Sequence, residues 1–247
     1  MNKTVKEAAA SLADRVKTVG FICPMDCELA AVTRLFSDLR TEAYGGALFY
    51  TGSLYGRRAV AVKCGVGKVF AAAVTQSMIL GFSPDLIINT GVGGNLSDTL
   101  SIGDIALSTA VVQHDMDTSP LGDPVGLISG INKVFLESDP DALSVMRAAL
   151  DGIGIQNASG VIASGDQFID SSEKKEEIVR TFGAISCEME GAAVGQVCYM
   201  NGVPFLVIRA ISDDANGESP ADFPAYCVQV SENSSRAISA FMRALAP

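Results

Sequence analysis

The chain is expected to fold as an α/β domain with a mostly parallel sheet and helices on both faces. Three observations lead there. Short apolar runs such as residues 18–23, 85–89 and 204–211 lack the polar alternation of a strand wetted on one face, as strands covered on both sides do. Stretches with apolar residues at three- and four-residue spacing stand between these runs, the alternation that builds parallel sheets. Polar and acidic residues collect where apolar runs end, at 24–28, 188–190 and 209–214, which is where open α/β sheets bind ligands.

Residues 1–17 put Val5, Ala8, Ala9, Leu12 and Val16 on one helical face, either a short amphipathic helix or a frayed extension before a single domain over 18–247. A strand over 18–23 stops at Pro24. Residues 26–39 follow as a helix, with Leu29, Val32, Leu35, Phe36 and Leu39 on one face. Residues 47–54 and 58–64 read as a hairpin turned at Tyr55-Gly56. Gly65-Val-Gly67 leads into a small-residue helix over 68–80. The strand 85–89 meets the glycine cluster 90–95, which either lets backbone approach a ligand closely or makes a tight turn. It has neither GxGxxG spacing nor a phosphate-loop pattern, so a dinucleotide or triphosphate site is not expected.

A strand over 103–112 leads to a polar loop holding His114, the single histidine, as a base or a structural hydrogen-bonder. A long loop runs to Lys133. Ser138-Asp-Pro-Asp141 opens a helix by cap and first-turn proline chemistry, reaching about Leu150. A strand at 160–164 precedes a charged helix over 171–182, for which Asp170 and Glu173 mark the start. A short strand at 184–187 runs into Glu188-Met-Glu190 and an almost wholly apolar helix to Met200. The strand 204–211 and a closing helix from Asp222 complete the chain.

The 247 residues are 48% hydrophobic and carry a net charge of −10, enough for one large core. No Lys/Arg run is present, so neither nucleic acid nor an anionic membrane is an expected partner. No uninterrupted apolar run approaches the ~18 residues of a membrane span. Residues 1–17 carry Lys3, Lys6, Glu7, Asp14 and Arg15, unlike a signal peptide. Cys23, Cys27, Cys64, Cys187, Cys198 and Cys227 show no CxxC spacing. With one histidine, no metal site is expected, and reduced thiols point to the cytoplasm.

The strand 204–211 ends among Arg209, Ser212, Asp213 and Asp214. A buried charge is costly unless paired, so an acid held there with an arginine to orient it is a site candidate; capping of a turn by Asp213 or Asp214 is the other account. Glu28 in a first helical turn is accounted for by the helix dipole alone. Of Glu188 and Glu190, a helix N-terminus accommodates one, and the other asks for a ligand or a cation.

Met25-x-x-Glu28, Thr90-Gly-Val-Gly-Gly94 followed by Gly103-Asp-Ile105, Ser164-Gly-Asp-Gln-Phe168, Glu188-Met-Glu190 and Arg209-Ala-Ile-Ser-Asp213 occur in this order. Together, over residues 18–247, they resemble the nucleoside phosphorylase/hydrolase family. The resemblance implies a three-layer α/β/α fold around a twisted mixed sheet, a homodimer and no metal or organic cofactor. It implies hydrolysis of the N-glycosidic bond of a small-molecule thio-nucleoside, 5′-methylthioadenosine or S-adenosylhomocysteine, to adenine and a 5-thio-ribose.

By the same resemblance, Asp213 protonates adenine N7, oriented by Ser212 and Arg209, and Glu28 deprotonates the attacking water, acid and base lying on opposite faces of the bond. Glu190 grips the ribose hydroxyls, with Met189 and Met25 packed on the sugar; Glu188, Val92 and Gly93 are further substrate-binding positions, Val92 near the ribose or the water. Phe168 stacks on adenine and the backbone of Gln167 and Ile169 reads its edge; seen alone, Phe168 also reads as a core aromatic. Val66 and Phe223 face the 5′ group, and Thr118 reaches in from the dimer partner. Phosphorylase relatives carry arginines in the loops after the first and central strands, because phosphate calls for them; residues 24–28 and 91–95 have none, so water is the expected nucleophile. Val92 stands where nucleosidases often have serine. A related nucleoside-cleaving enzyme, such as an aminodeoxyfutalosine hydrolase or purine phosphorylase, and a non-catalytic nucleoside-binding protein are the alternatives.

Overall fold

The computed structural model describes residues 3–213 and 223–246. Its centre is β5 (Leu86–Asn95), which pairs along one edge with β10 (Phe205–Asp213), parallel. Along its other edge it pairs first with β1 (Thr18–Cys23), parallel, and at Gly94 and Asn95 with β9 (Ala184–Glu188), antiparallel. The partner on that edge thus changes from β1 to β9 toward the carboxyl end of β5, and the sheet opens there. β9 pairs with β8 (Asn157–Ser164), β8 with β6 (Ile105–Gln113), and β6 with β10. In the other direction β1 is followed by β4 (Arg57–Lys63), β3 (Ala47–Leu54) and β2 (Ser37–Tyr44), while the two-residue β7 (Leu136–Glu137) joins β6.

Helices cover both faces, giving the three-layer α/β/α architecture. α1 (Lys3–Arg15), α2 (Asp26–Thr33), α4 (Pro140–Gly152) and α7 (Phe223–Ala244) share one apolar core with the sheet. α3 (Lys68–Phe82) and α6 (Gly191–Asn201) share the other, and α5 (Ser172–Phe182) caps a smaller one. The alternating pleat explains the division: Val19, Phe21 and Cys23 of β1 face the first core and Ile22 the second, because successive side chains point to opposite faces. Among the described residues no helix is long and apolar enough to cross a membrane.

Several expected elements stand: the hairpin β3–β4, the helix opened by Asp139 and Pro140, and the two-sided burial of β1 and β10. Asp139 accepts Ala142 N–H at 2.8 Å and an ion pair from Arg15, so α1 is a helix docked on α4 with Leu12 and Val16 buried, not a frayed segment. Other expectations change. The helix read over 26–39 ends at Thr33, and residues 37–44 form an exposed edge strand. Gly45 and Gly46, both at positive φ, close a hairpin with β3 that local periodicity did not reveal. Leu39 is exposed rather than on a buried helical face. The glycine cluster 91–94 is neither loop nor turn but the upper half of β5. The cap of α5 is Ser171, which accepts Lys174 N–H, in place of Asp170.

Candidate active site

The crevice lies where the sheet opens. A cavity of about 190 Å³ is bounded by the segments after β1, β4, β8 and β9 and by the upper ends of β5 and β10. It is lined by Met25, Glu28, Val66, Val92, Gly93, Gln167, Phe168, Ile169, Glu188, Met189, Glu190, Ser212 and Asp213. Nearly every site residue expected from the sequence is therefore brought to one place. Gly94, from the glycine cluster, also lines it, as do Pro24 and Cys187, which were not anticipated. Burial pushes the Cys187 thiol up to about 12, so it serves as an apolar wall.

Glu28 is 3% exposed. Its Oε2 accepts Met25 N–H at 2.7 Å and its Oε1 accepts Val92 N–H at 3.0 Å. The first bond is the helix-start role; the second ties that helix to the central strand. Burial raises the Glu28 pKa to about 7, against the N–H of Met25, the charge of Arg209 and the N–H of Val92. A group at that value exchanges protons near neutrality. The backbone of Val92, not its side chain, holds this carboxylate, so the missing serine hydroxyl does not remove that contact.

β10 delivers Ser212 and Asp213 through a bulge between Ile211 and Asp213. Adjacent residues of a regular strand point to opposite faces, and a bulge re-aims them; here both line the cavity. Ser212 Oγ donates to Asp213 Oδ2 at 2.8 Å, as expected.

The described hydrogen bonds and ion pairs of Arg209 do not include Asp213, which the expected orienting role would call for. Four residues along an extended strand span about 13 Å, and the guanidinium turns elsewhere. It donates to Glu188 Oε2, to Asn89 Oδ1 at 2.5 Å and to the Ile208 carbonyl at 2.9 Å, and lies 3.7 Å from Glu190 Oε2. Asn89, the polar residue in the dry run of β5, was missed as a partner; its position in an otherwise apolar strand was the available signal.

Glu188 is likewise placed differently. It borders the cavity, but its Oε1 accepts Ser164 Oγ and its Oε2 accepts Glu190 N–H, Gly191 N–H and Arg209. It takes both the helix N-terminus and the cation, so its carboxylate belongs to the framework rather than to a ligand. Glu190 receives Gly67 N–H at 2.8 Å on Oε1. Burial, then the negative charge of Glu188, hold its pKa well above the ordinary carboxylate range. The cavity is thus ringed by Glu28, Glu190 and Asp213, with no Lys or Arg among its described lining residues.

Thr118 is not in the cavity of its own chain; its hydroxyl donates to Asp123 at 2.8 Å. The side chains of Phe223 and Asp214 lie outside the described residues. His114 is buried, with no hydrogen-bond partner at either ring nitrogen among the described residues, and burial lowers its pKa. Its ring is outside the described cavity lining, which matches neither the base nor the structural hydrogen-bonder considered from the sequence. Its ring packs against Gly165, where an added Cβ would meet Nε2 at 2.4 Å.

Residues 18–243 match the model of the phosphorylase superfamily. A 5′-methylthioadenosine/S-adenosylhomocysteine nucleosidase of Shewanella loihica is 34% identical over 228 residues, 92% of this chain and 99% of that protein. The nucleosidase of the same name from Shewanella halifaxensis is 36% identical, again over 92% of this chain and 99% of that protein. Among solved structures, the corresponding nucleosidase of Neisseria meningitidis in complex with methylthio-immucillin-A superposes with a TM-score of 0.88 at 31% identity, covering 92% of this chain and 99% of that one. A futalosine hydrolase of Helicobacter pylori superposes with a TM-score of 0.87 at 33% identity, covering 92% and 97%.

Proposed function

Since the chain belongs to the phosphorylase superfamily and is an N-glycosyl hydrolase, we propose that it cleaves 5′-methylthioadenosine and S-adenosylhomocysteine to adenine and the 5-thio-ribose. The observation that carries this reading is the meeting of Glu28, Glu190 and Asp213, from three distant segments, around one cavity with Phe168. Asp213 gives a proton to adenine N7 as the N9–C1′ bond breaks, so adenine leaves neutral. Water adds to the oxocarbenium-like C1′ and its proton passes to Glu28, whose raised pKa suits the transfer. Glu190 accepts from the ribose hydroxyls. Arg209 acts one layer below, holding Glu188 and lying beside Glu190.

Water is favoured over phosphate as nucleophile. A phosphate dianion is bound by arginine and N–H donors, and this cavity has carboxylates and no cation among its described lining residues. The decisive assay is adenine release from 5′-methylthioadenosine in phosphate-free buffer. A rate strictly dependent on added phosphate overturns the hydrolase reading. The likeness to the futalosine hydrolase supports a second reading that differs in the 5′ group. A panel with aminodeoxyfutalosine beside the thio-nucleosides separates the two.

The same reading includes a cytoplasmic homodimer, with Thr118 entering the partner's site. Six free thiols favour a reducing compartment. Val69, Phe70 and Leu80 on α3 and Tyr199 and Met200 on α6 are exposed on packed neighbouring helices, an apolar face suited to a second copy. Sedimentation analysis checks the dimer.

A further inference from the structure

The first residue of α3 and two loops meet beside the cavity through a closed ring of hydrogen bonds. Lys68 follows β4, Asp115 follows β6 and Asp166 follows β8. Lys68 N–H donates to Asp166 Oδ1 at 2.8 Å, Asp166 N–H to Asp115 Oδ2 at 2.9 Å, and Lys68 Nζ to Asp115 Oδ1 at 2.6 Å. Lys68 Nζ also donates to Gln113 Oε1 at 3.1 Å, and Gln113 Nε2 to Gln196 Oε1 of α6 at 2.6 Å.

Each end of this ring continues into a ligand-facing group. The residue before Lys68 gives its N–H to Glu190. The residues after Asp166 are Gln167 and Phe168, which line the base side of the cavity in the reading above. Asp166 is exposed, whereas the charged pair is half-buried: the Lys68 and Asp115 side chains are 18% and 20% exposed, so their charges are less screened than a surface pair. Burial of Asp115 works against its ionisation, yet the Lys68 ammonium and the Asp166 N–H hold its carboxyl below the ordinary range. The bare backbone of Gly165 lets the His114 ring lie directly beneath this junction.

We propose that Lys68, Asp115 and Asp166 form a clasp that sets the position of the base subsite at Phe168 relative to the ribose subsite at Glu190. They are positioning residues: none of them lines the cavity. The proposal rests on the nucleosidase reading for the identity of the two subsites. A clasp of this kind leaves each subsite able to bind its own fragment and acts only when one ligand spans both. Misplacement by about 1 Å costs on the order of 100-fold in rate.

The test uses the full chain as wild type, Lys68→Met, Asp115→Asn and the double variant. Each is titrated with adenine and with a non-cleavable adenosine analogue by calorimetry and assayed for kcat on 5′-methylthioadenosine. Adenine Kd is expected to stay within about threefold of wild type, while kcat and the preference for the analogue over adenine each fall about 10- to 100-fold. The double variant should be no worse than the poorer single, because both remove one linked unit. Lys68→Arg should recover most of kcat. Unchanged kcat, adenine affinity lost in step with that of the analogue, or losses that multiply in the double variant overturns the clasp. Wild type that binds the analogue and cleaves no nucleoside overturns the hydrolase reading instead, and the Kd ratios still decide the clasp.

Discussion

Glu28 Oε1 accepts the backbone N–H of Val92 at 3.0 Å, which ties the first turn of α2 to the central strand and holds a buried carboxylate at the cavity wall. A glutamine there has the same shape but cannot take a proton from water. Glu28→Gln should lower kcat roughly 10²- to 10⁴-fold, the range of a lost general base, while circular dichroism shows a retained fold. Activity within tenfold of wild type would remove Glu28 from the base role.

The pKa of Glu28, raised to about 7 by burial, makes two pH statements. A base works ionised, so kcat/KM should climb as pH rises through about 7, and the residual rate of Glu28→Gln should lack that limb. For stability the sign is opposite. The folded state holds the proton more tightly than the unfolded chain, whose value is 4.5. The contribution of Glu28 is therefore complete below 4.5 and is lost as pH rises through about 7. Tm of the ligand-free protein should carry this downward slope, and Glu28→Gln should flatten it.

Asp213 is 4% exposed and accepts from Ser212. Asp213→Asn keeps shape and hydrogen bonding but removes the acid. Affinity for a non-cleavable adenosine analogue should hold within a few fold, with kcat down by roughly 10²- to 10⁴-fold. Equal turnover would assign the N7 proton to another donor.

Arg209 is completely buried and pairs with Glu188. Arg209→Met leaves that carboxylate without its cation, a loss of about 3–5 kcal/mol for a broken buried pair. Adding Glu188→Gln to it should restore part of the stability, because the stranded charge goes too. Urea unfolding of the two singles and the double measures both effects. Additive losses would mean that the pair is not coupled.

The strands on either side of the cavity were legible because burial on both faces leaves a mark that local sequence cannot hide: Phe205–Ile208 and Leu86–Ile88 are apolar at every position and fully enclosed. The α4 start was legible because Asp139 and Pro140 act within one helical turn. The strand 37–44 was not. It is an edge strand exposed along its length, so no apolar alternation records it, and its pairing depends on β3. The bulge at Ser212 was equally hidden, since it is a mismatch of register between two strands 119 residues apart at the Ser212–Gly93 contact.

The linear order of residues determined most of the element types, the acids at strand ends and, through five short motifs, the family. Apolar patterning, capping and motif spacing all act over a few residues, and the chain carries them without folding. Which acid meets which partner was decided only by the tertiary structure. Arg209 stands four residues from Asp213 and twenty-one from Glu188, yet it pairs with Glu188. A buried guanidinium goes where strand register brings a carboxylate within reach, and register is set by the packing of the whole sheet. The same holds for Lys68, Asp115 and Asp166, which have no local relation and meet because the segments after β4, β6 and β8 come together at one place.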